Sequence, residues 1–146
     1  MLKSPAKPCA FCAILRGEGG AEVVYEDEAT LAFLDHSPLL QGHCLLIPRA
    51  HVATIYEADE ATLTALAIAS KRLAAAVTLA MQAEGVFIAQ NNVISQSVPH
   101  LHVHVVPRRK GDGLFSPRMI WRRVKYDGPE QMAEIAGRIR AVLAAA

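Results

Sequence analysis

The chain has 146 residues, 52% of them hydrophobic, and a formal net charge of +1. That length suits one domain with a single core, expected here to span residues 1–146, and the near-neutral balance argues against a nucleic-acid partner, which normally demands a strong basic excess. No apolar run is expected to reach membrane-spanning length, and the opening MLKSPAKPCAFC lacks a signal core, so the expected location is cytoplasmic with no membrane partner.

In chain order, PCAFCAILRG predicts a short helix closed at Gly17. EVVYED and ATLAFLDH predict two strands joined by a tight acidic turn. HCLLIP predicts a third, stopped by Pro48, which has no amide to donate to a ladder. Residues 59–84 predict one long helix, opened by acidic residues and followed by Gly85, with Leu63, Leu66, Leu73, Val77 and Met81 as its buried stripe. VFIAQN and HLHVHVVP predict a fourth and a fifth strand. PEQMAEIAGRIRAVLAAA predicts a closing amphipathic helix with Pro129 near its first position and Met132, Ile135, Ile139, Val142 and Leu143 as its apolar side. Strands with short links, then helices, indicate an antiparallel α+β domain.

HLHVHVV sets His100, His102 and His104 two residues apart. On a strand all three face one way, and Leu101, Val103 and Val105 face the other. The apolar side must lie on a helix, so the histidine side must meet polar groups, a metal or a ligand. A row of merely structural histidines would need partners for six ring nitrogens. One metal held by all three rings would need help with reach. The outer pair stands roughly 13 Å apart on a straight strand, and ligand bonds of about 2 Å do not close that span. A nucleophile flanked by helpers fits, because neutral imidazole attacks phosphorus well and titrates near working pH.

These residues resemble the histidine triad (HIT) superfamily of nucleotide hydrolases and transferases. YEDEATLAFLDHSPLLQGHCLLIPRAH is similar to the family's N-terminal half and SQSVPHLHVHVVPR to its active-site strand, so the resemblance covers nearly the whole chain. It implies a HIT-like fold: a five-stranded antiparallel sheet with one long central helix and a C-terminal helix. It also implies a two-fold homodimer built through the long helix and a strand. By the resemblance, His102 attacks the α-phosphate of a purine nucleotide and forms a nucleotidyl-histidine, which water opens to the nucleoside monophosphate. The carbonyl of His100 would pin the other ring nitrogen of His102, and His104 would donate to the phosphate. Gln96 and Ser97 would contact the phosphate and its bridging oxygen; alone, SQS is equally a polar turn. Asp35 would accept from the ribose hydroxyls, although an Asx-type turn is its plain role. Phe11, Ile14, Phe33 and Leu34 would line the base pocket, and Asn91 would face the substrate. Only four residues, NVIS, separate Asn91 from Gln96. Family members commonly have about two more, with Gly where Ser95 stands, so the position of the asparagine is open by one.

Cys9 and Cys12 form a CxxC, which reads as half of a zinc site or as a redox pair; no thioredoxin-like βαβ pattern follows it. Three cysteines, counting Cys44, make no disulfide framework in a reducing compartment. The resemblance to bacterial members with CxxC supplies the missing ligands, His51 and His100, and with them a closed structural zinc. It leaves His43 beside His102, His36 near the base or in solvent, and Cys44 as a core thiol. Arg108, Arg109, Lys110, Arg118, Arg122 and Arg123 form a solvated rim or a field that attracts polyphosphates. The expected activity is hydrolysis of a nucleoside phosphoramidate or a dinucleoside polyphosphate. The rival is a nucleotide-sensing scaffold with little catalysis.

Overall fold

The computed structural model of the chain describes residues 8–116 and 123–145. Its elements are α1 (Ala10–Leu15), β1 (Val23–Glu26), β2 (Thr30–Leu34), β3 (Cys44–Pro48), α2 (Glu60–Ala80), β4 (Gly85–Ala89), β5 (Val103–Arg108) and α3 (Pro129–Ala145). The five strands form one antiparallel sheet in the order β1-β2-β3-β5-β4. Fold class, strand count and both long helices match the expectation.

Alternation along the strands sorts side chains between two layers. Ala32, Leu34, Cys44, Leu46, Leu101, Val103 and Val105 pack under α2 and α3 against Leu66, Leu73, Val77, Ile135 and Ile139. Each large apolar side chain buried there stabilises the fold by about 1.5–3 kcal/mol. Leu31, Phe33, Leu45 and Ile47 point to the opposite face, which α1 covers through Phe11. The histidines share that second face.

Local chemistry explains the ends of the elements. Asp27 turns β1 into β2: its carboxylate accepts the amides of Ala29 and Thr30 at 2.9 and 2.7 Å, an Asx turn. Asp59 caps α2 through the amide of Thr62. The far end of α2 differs from the expectation. The helix stops at Ala80, and the left-handed residue is Gln82 (φ 51°), not Gly85. The amides of Gln82 and Ala83 close back onto the carbonyls of Leu79 and Thr78, a Schellman cap that satisfies two orphan carbonyls.

The histidine strand also differs. Ladder pairing starts at Val103, so His100, Leu101 and His102 precede β5. The amide of His100 bonds the carbonyl of Val98, and that of Leu101 bonds Val52; neither is available to a neighbouring strand. Helix α2, at 21 residues, is long and apolar enough by length and composition to cross a membrane, contrary to the expectation. Alanines supply much of that apolarity, Lys71 and Arg72 sit mid-helix, and one side packs on the sheet.

Candidate active site and metal centre

Four donor atoms converge where α1 meets the start of the histidine segment. Cys9 caps α1, its sulfur accepting the amide of Cys12 at 3.4 Å. Its Sγ lies 3.5 Å from His100 Nδ1. The Sγ of Cys12 lies 3.2 Å from His51 Nδ1 and 3.7 Å from His100 Nδ1, and the two imidazole nitrogens are 3.2 Å apart. All four donors fall within 4.8 Å of one another. A tetrahedron with zinc–sulfur bonds of about 2.3 Å and zinc–nitrogen bonds of about 2.0 Å has edges of roughly 3.3–3.8 Å. The donor set and its spacing therefore fit such an ion. His100 also donates Nε2–H to the carbonyl of Pro48 at 2.8 Å, which leaves the Nδ1 lone pair facing the sulfurs, the outer-shell arrangement that orients a ligating imidazole.

Two residues on, His102 is buried and donates Nδ1–H to the carbonyl of His100 at 2.7 Å. Its Nε2 thus carries the lone pair. The ring of Phe11 stands edge-on to it, with centroids 5.1 Å apart at 90°, and also meets Phe33 at 5.4 Å.

His104 is fixed the opposite way. The amide of Leu39 donates to His43 Nδ1 at 3.0 Å, so the proton of His43 sits on Nε2. That nitrogen lies 2.9 Å from His104 Nδ1 and donates to it. His104 is left with its proton on Nε2. Asp35 Oδ2 comes within 3.7 Å of His43 Nδ1, but the amide of Leu39 already takes that lone pair, so no ion pair forms. Gly42 makes this approach of His43 possible. Its φ is 92°, and a Cβ there would come within 2.7 Å of Met81 and 3.2 Å of Pro107. Burial is the main cause that pushes His104 down to about 4 and His43 to about 3. Burial also lowers His102, against the opposing pull of the His100 carbonyl. At neutral pH the rings of His43, His102 and His104 are therefore uncharged.

Phe11, Phe33 and Ile14 gather on the histidine face. Leu34 does not: it packs in the core beneath the helices, because alternation places it opposite Phe33. Asp35 is buried; one oxygen accepts the amide of Ser37 at 2.9 Å and the other accepts Arg123 Nη1 at 2.9 Å. Asn92, one position past the expected residue, accepts the amide of Ile55 at 2.7 Å, while Asn91 is half-buried. Gln96 commits its amide to two backbones, accepting from Val93 at 2.9 Å and donating to Ala53 at 2.6 Å. Ser97 is exposed. The loop is strained, with Val93 at φ 71° and Ser95 at φ 60°, the second at the position where the resemblance led to the expectation of glycine. His43 joins His104, not His102 as expected. His36 is exposed, and Cys44 is buried with its thiol pushed upward by burial.

Much of the basic rim has definite partners. Arg108 grips Asp112 with two bonds of 2.6 and 2.9 Å, and Arg109 donates to the carbonyl of Met81. Arg118 and Arg122 lie outside the described residues. Sequence reasoning gave no role to the amide of Leu39, the carbonyl of Pro48 or the pairing of Arg123 with Asp35. The first two are backbone groups without a side-chain signal. The third joins residues 88 positions apart.

Comparisons with known proteins identify the family. The HIT domain family matches residues 16–111. The chain is 36% identical to the protein hit of Bacillus subtilis over 143 residues, covering 95% of this chain and 97% of that one. It is 36% identical to the adenosine 5'-monophosphoramidase hnt1 of Schizosaccharomyces pombe, covering 68% of this chain and 74% of that one. It is 32% identical to the adenylylsulfatase HINT3 of Arabidopsis thaliana, covering 78% and 59%. Among solved structures, a zinc-bound histidine triad family protein of Mycobacterium smegmatis superposes with a TM-score of 0.79 at 36% identity, covering 94% of each chain. A histidine triad nucleotide-binding protein of Sulfolobus tokodaii superposes with 0.82 at 33%, covering 94% and 93%. The chain belongs to the HIT family.

Proposed function

We propose that the chain is a nucleotidyl hydrolase that cleaves at the α-phosphate of an adenosine phosphoramidate or a dinucleoside polyphosphate, with His102 as nucleophile. The observation that carries this reading is the opposite fixing of two adjacent imidazoles: His102 with a bare Nε2, His104 with a protonated one. One side chain is thereby set to attack and the next to donate. The Nε2 of His102 forms a bond to phosphorus as the bond to the leaving group breaks and that group takes a proton. Water then attacks the phosphorus, the P–N bond breaks, and the nucleoside monophosphate leaves. His104 Nε2–H donates to the phosphate oxygens as charge develops.

Asp35 accepts from the ribose, sharing its carboxylate with Arg123. Phe11, Ile14 and Phe33 hold the purine; Ser97, Gln96 and Asn91 face the leaving group. Cys9, Cys12, His51 and His100 would hold one zinc ion per chain. Four protein donors leave no open position, so it supplies a cross-link between α1 and the histidine segment. A homodimer through α2 and the edge strand β4 would cover Ile68, Leu79 and Ile88, which are exposed at 50%, 67% and 44%.

Steady-state turnover of an adenosine phosphoramidate against diadenosine polyphosphates, on one preparation, tests the substrate. A chiral α-thiophosphate tests the mechanism. Two in-line displacements give net retention; inversion would mean direct attack by water and would remove His102 as nucleophile. Binding of both nucleotides without turnover would favour the scaffold reading.

A further inference from the structure

The metal-type tetrad and the nucleophile meet at two points. His100 turns its side chain to the sulfurs and its carbonyl to His102 Nδ1, which it fixes at 2.7 Å. Phe11 lies within the CxxC turn itself, and its ring stands edge-on to both His102 and His100, with centroids 5.1 and 6.0 Å away. Whatever shifts the CxxC turn or the ring of His100 therefore acts on the bond that holds the lone pair of His102 in place.

The sulfurs are also open to reagents. Cys9 and Cys12 are half-buried and His51 is exposed, whereas the third thiol, Cys44, is fully enclosed. The two sulfurs lie within 4.8 Å of each other, a short side-chain movement from bonding distance.

We propose that Cys9 and Cys12 form a redox switch on the nucleophile: a hydroperoxide oxidises the pair to a disulfide, the metal is released, and His102 loses its fixed orientation. The inference rests on the reading of His102 as nucleophile and of the tetrad as a zinc site. The two thiolates give up two electrons and form the S–S bond. The O–O bond of the hydroperoxide takes those electrons and two protons from solvent, leaving as water and an alcohol. The divalent ion departs to solvent because a disulfide is no longer a thiolate donor. His100 Nδ1, on a fully buried side chain, then faces the disulfide and keeps one polar neighbour of the tetrad, His51 Nδ1, 3.2 Å away. Closing the S–S bond pulls the CxxC turn and with it the ring of Phe11, while the ring of His100 swings from the sulfurs toward His51; both movements bear on the carbonyl that anchors His102 Nδ1. A thiol reductant and zinc restore the original state.

The test uses the zinc-loaded full-length chain, titrated with hydrogen peroxide in the presence of a chromophoric zinc chelator. Peptide masses report the disulfide, the Nδ1–H resonance of His102 reports its anchor, and nucleotide hydrolysis reports function. The expected result is one zinc released per Cys9–Cys12 disulfide. The His102 resonance should be lost or displaced while the Nε2–H of His43 stays in place. Turnover should fall at least tenfold and return with dithiothreitol and zinc. A disulfide with zinc release but an unchanged His102 resonance would overturn the switch and leave the tetrad a staple. Peroxide consumption without that disulfide would overturn it as well, as would loss of far-UV circular dichroism, which would mean global unfolding and no local device. An untreated chain that binds zinc but turns over no nucleotide would instead refute the nucleophile reading, and the resonance would still decide whether the tetrad controls the ring.

Discussion

The two ends of the triad can be set side by side. His100 and His104 are the same residue type on the same face, four positions apart, and both are buried. His100 hands its Nδ1 to an open cluster of two cysteines and His51. His104 hands its Nδ1 to His43, deep in the protein. One ring faces a donor set fit for a metal and the other is left with its proton on Nε2. The partner, brought by a distant segment, assigns the role; the triad repeat alone does not.

The sharpest way to break that comparison is to remove the ring between them. His102→Ala should lower turnover by about 10⁴-fold or more and leave folding and nucleotide affinity largely intact. A variant that retained a tenth of wild-type activity would show that another group attacks.

Acid should strike the His104 end first. His104 falls from the ordinary 6.5 to about 4 and His43 to about 3, so the folded state binds fewer protons than the unfolded one between these values. Stability contributed by keeping both rings neutral is present above pH 6.5 and declines as pH falls through that window. By pH 5 the loss should be of order 2 kcal/mol for each ring. Denaturant melts at pH 7 and pH 5 measure it; equal midpoints would mean that neither ring is held neutral.

The His100 end should respond to metal chemistry instead. Cys9→Ser should lower zinc content well below one per chain and the melting temperature by about 10 °C, with little effect of chelator on the variant. Wild-type protein that melts identically with and without a strong chelator would show that no metal supports this end.

A finer probe is His43. Replacing it with Ala removes the donor that fixes His104 and should cost about 10- to 100-fold in kcat with a smaller change in KM. His43→Gln, which keeps an N–H donor, should recover part of the loss. Equal defects in both variants would point to packing.

The smallest effect concerns Asp35, which stands beside the His43–His104 pair. Asp35→Asn should weaken ribonucleotide binding by about tenfold and a 2′,3′-dideoxy analogue much less. Equal losses would show that Asp35 serves only Ser37 and Arg123.

The pattern of apolar and turn residues was enough to read the sheet, both long helices and the shared face of the three histidines, because alternation and helical period are local properties. Leu34 shows where resemblance is weaker than period: alternation from Phe33 sends it into the helix-side core. The end of α2 shows where a strong stop signal misleads, since Gln82 adopts the left-handed conformation three residues before Gly85. The residue types of the site, including the four metal-type donors, were likewise written in the chain. Only the tertiary structure decided which nitrogen of each imidazole carries its proton. Those protons are set by the carbonyl of His100, the carbonyl of Pro48 and the amide of Leu39. Every residue carries a carbonyl and every residue but proline an amide N–H, so no sequence pattern marks them; packing alone brings them within reach of the rings.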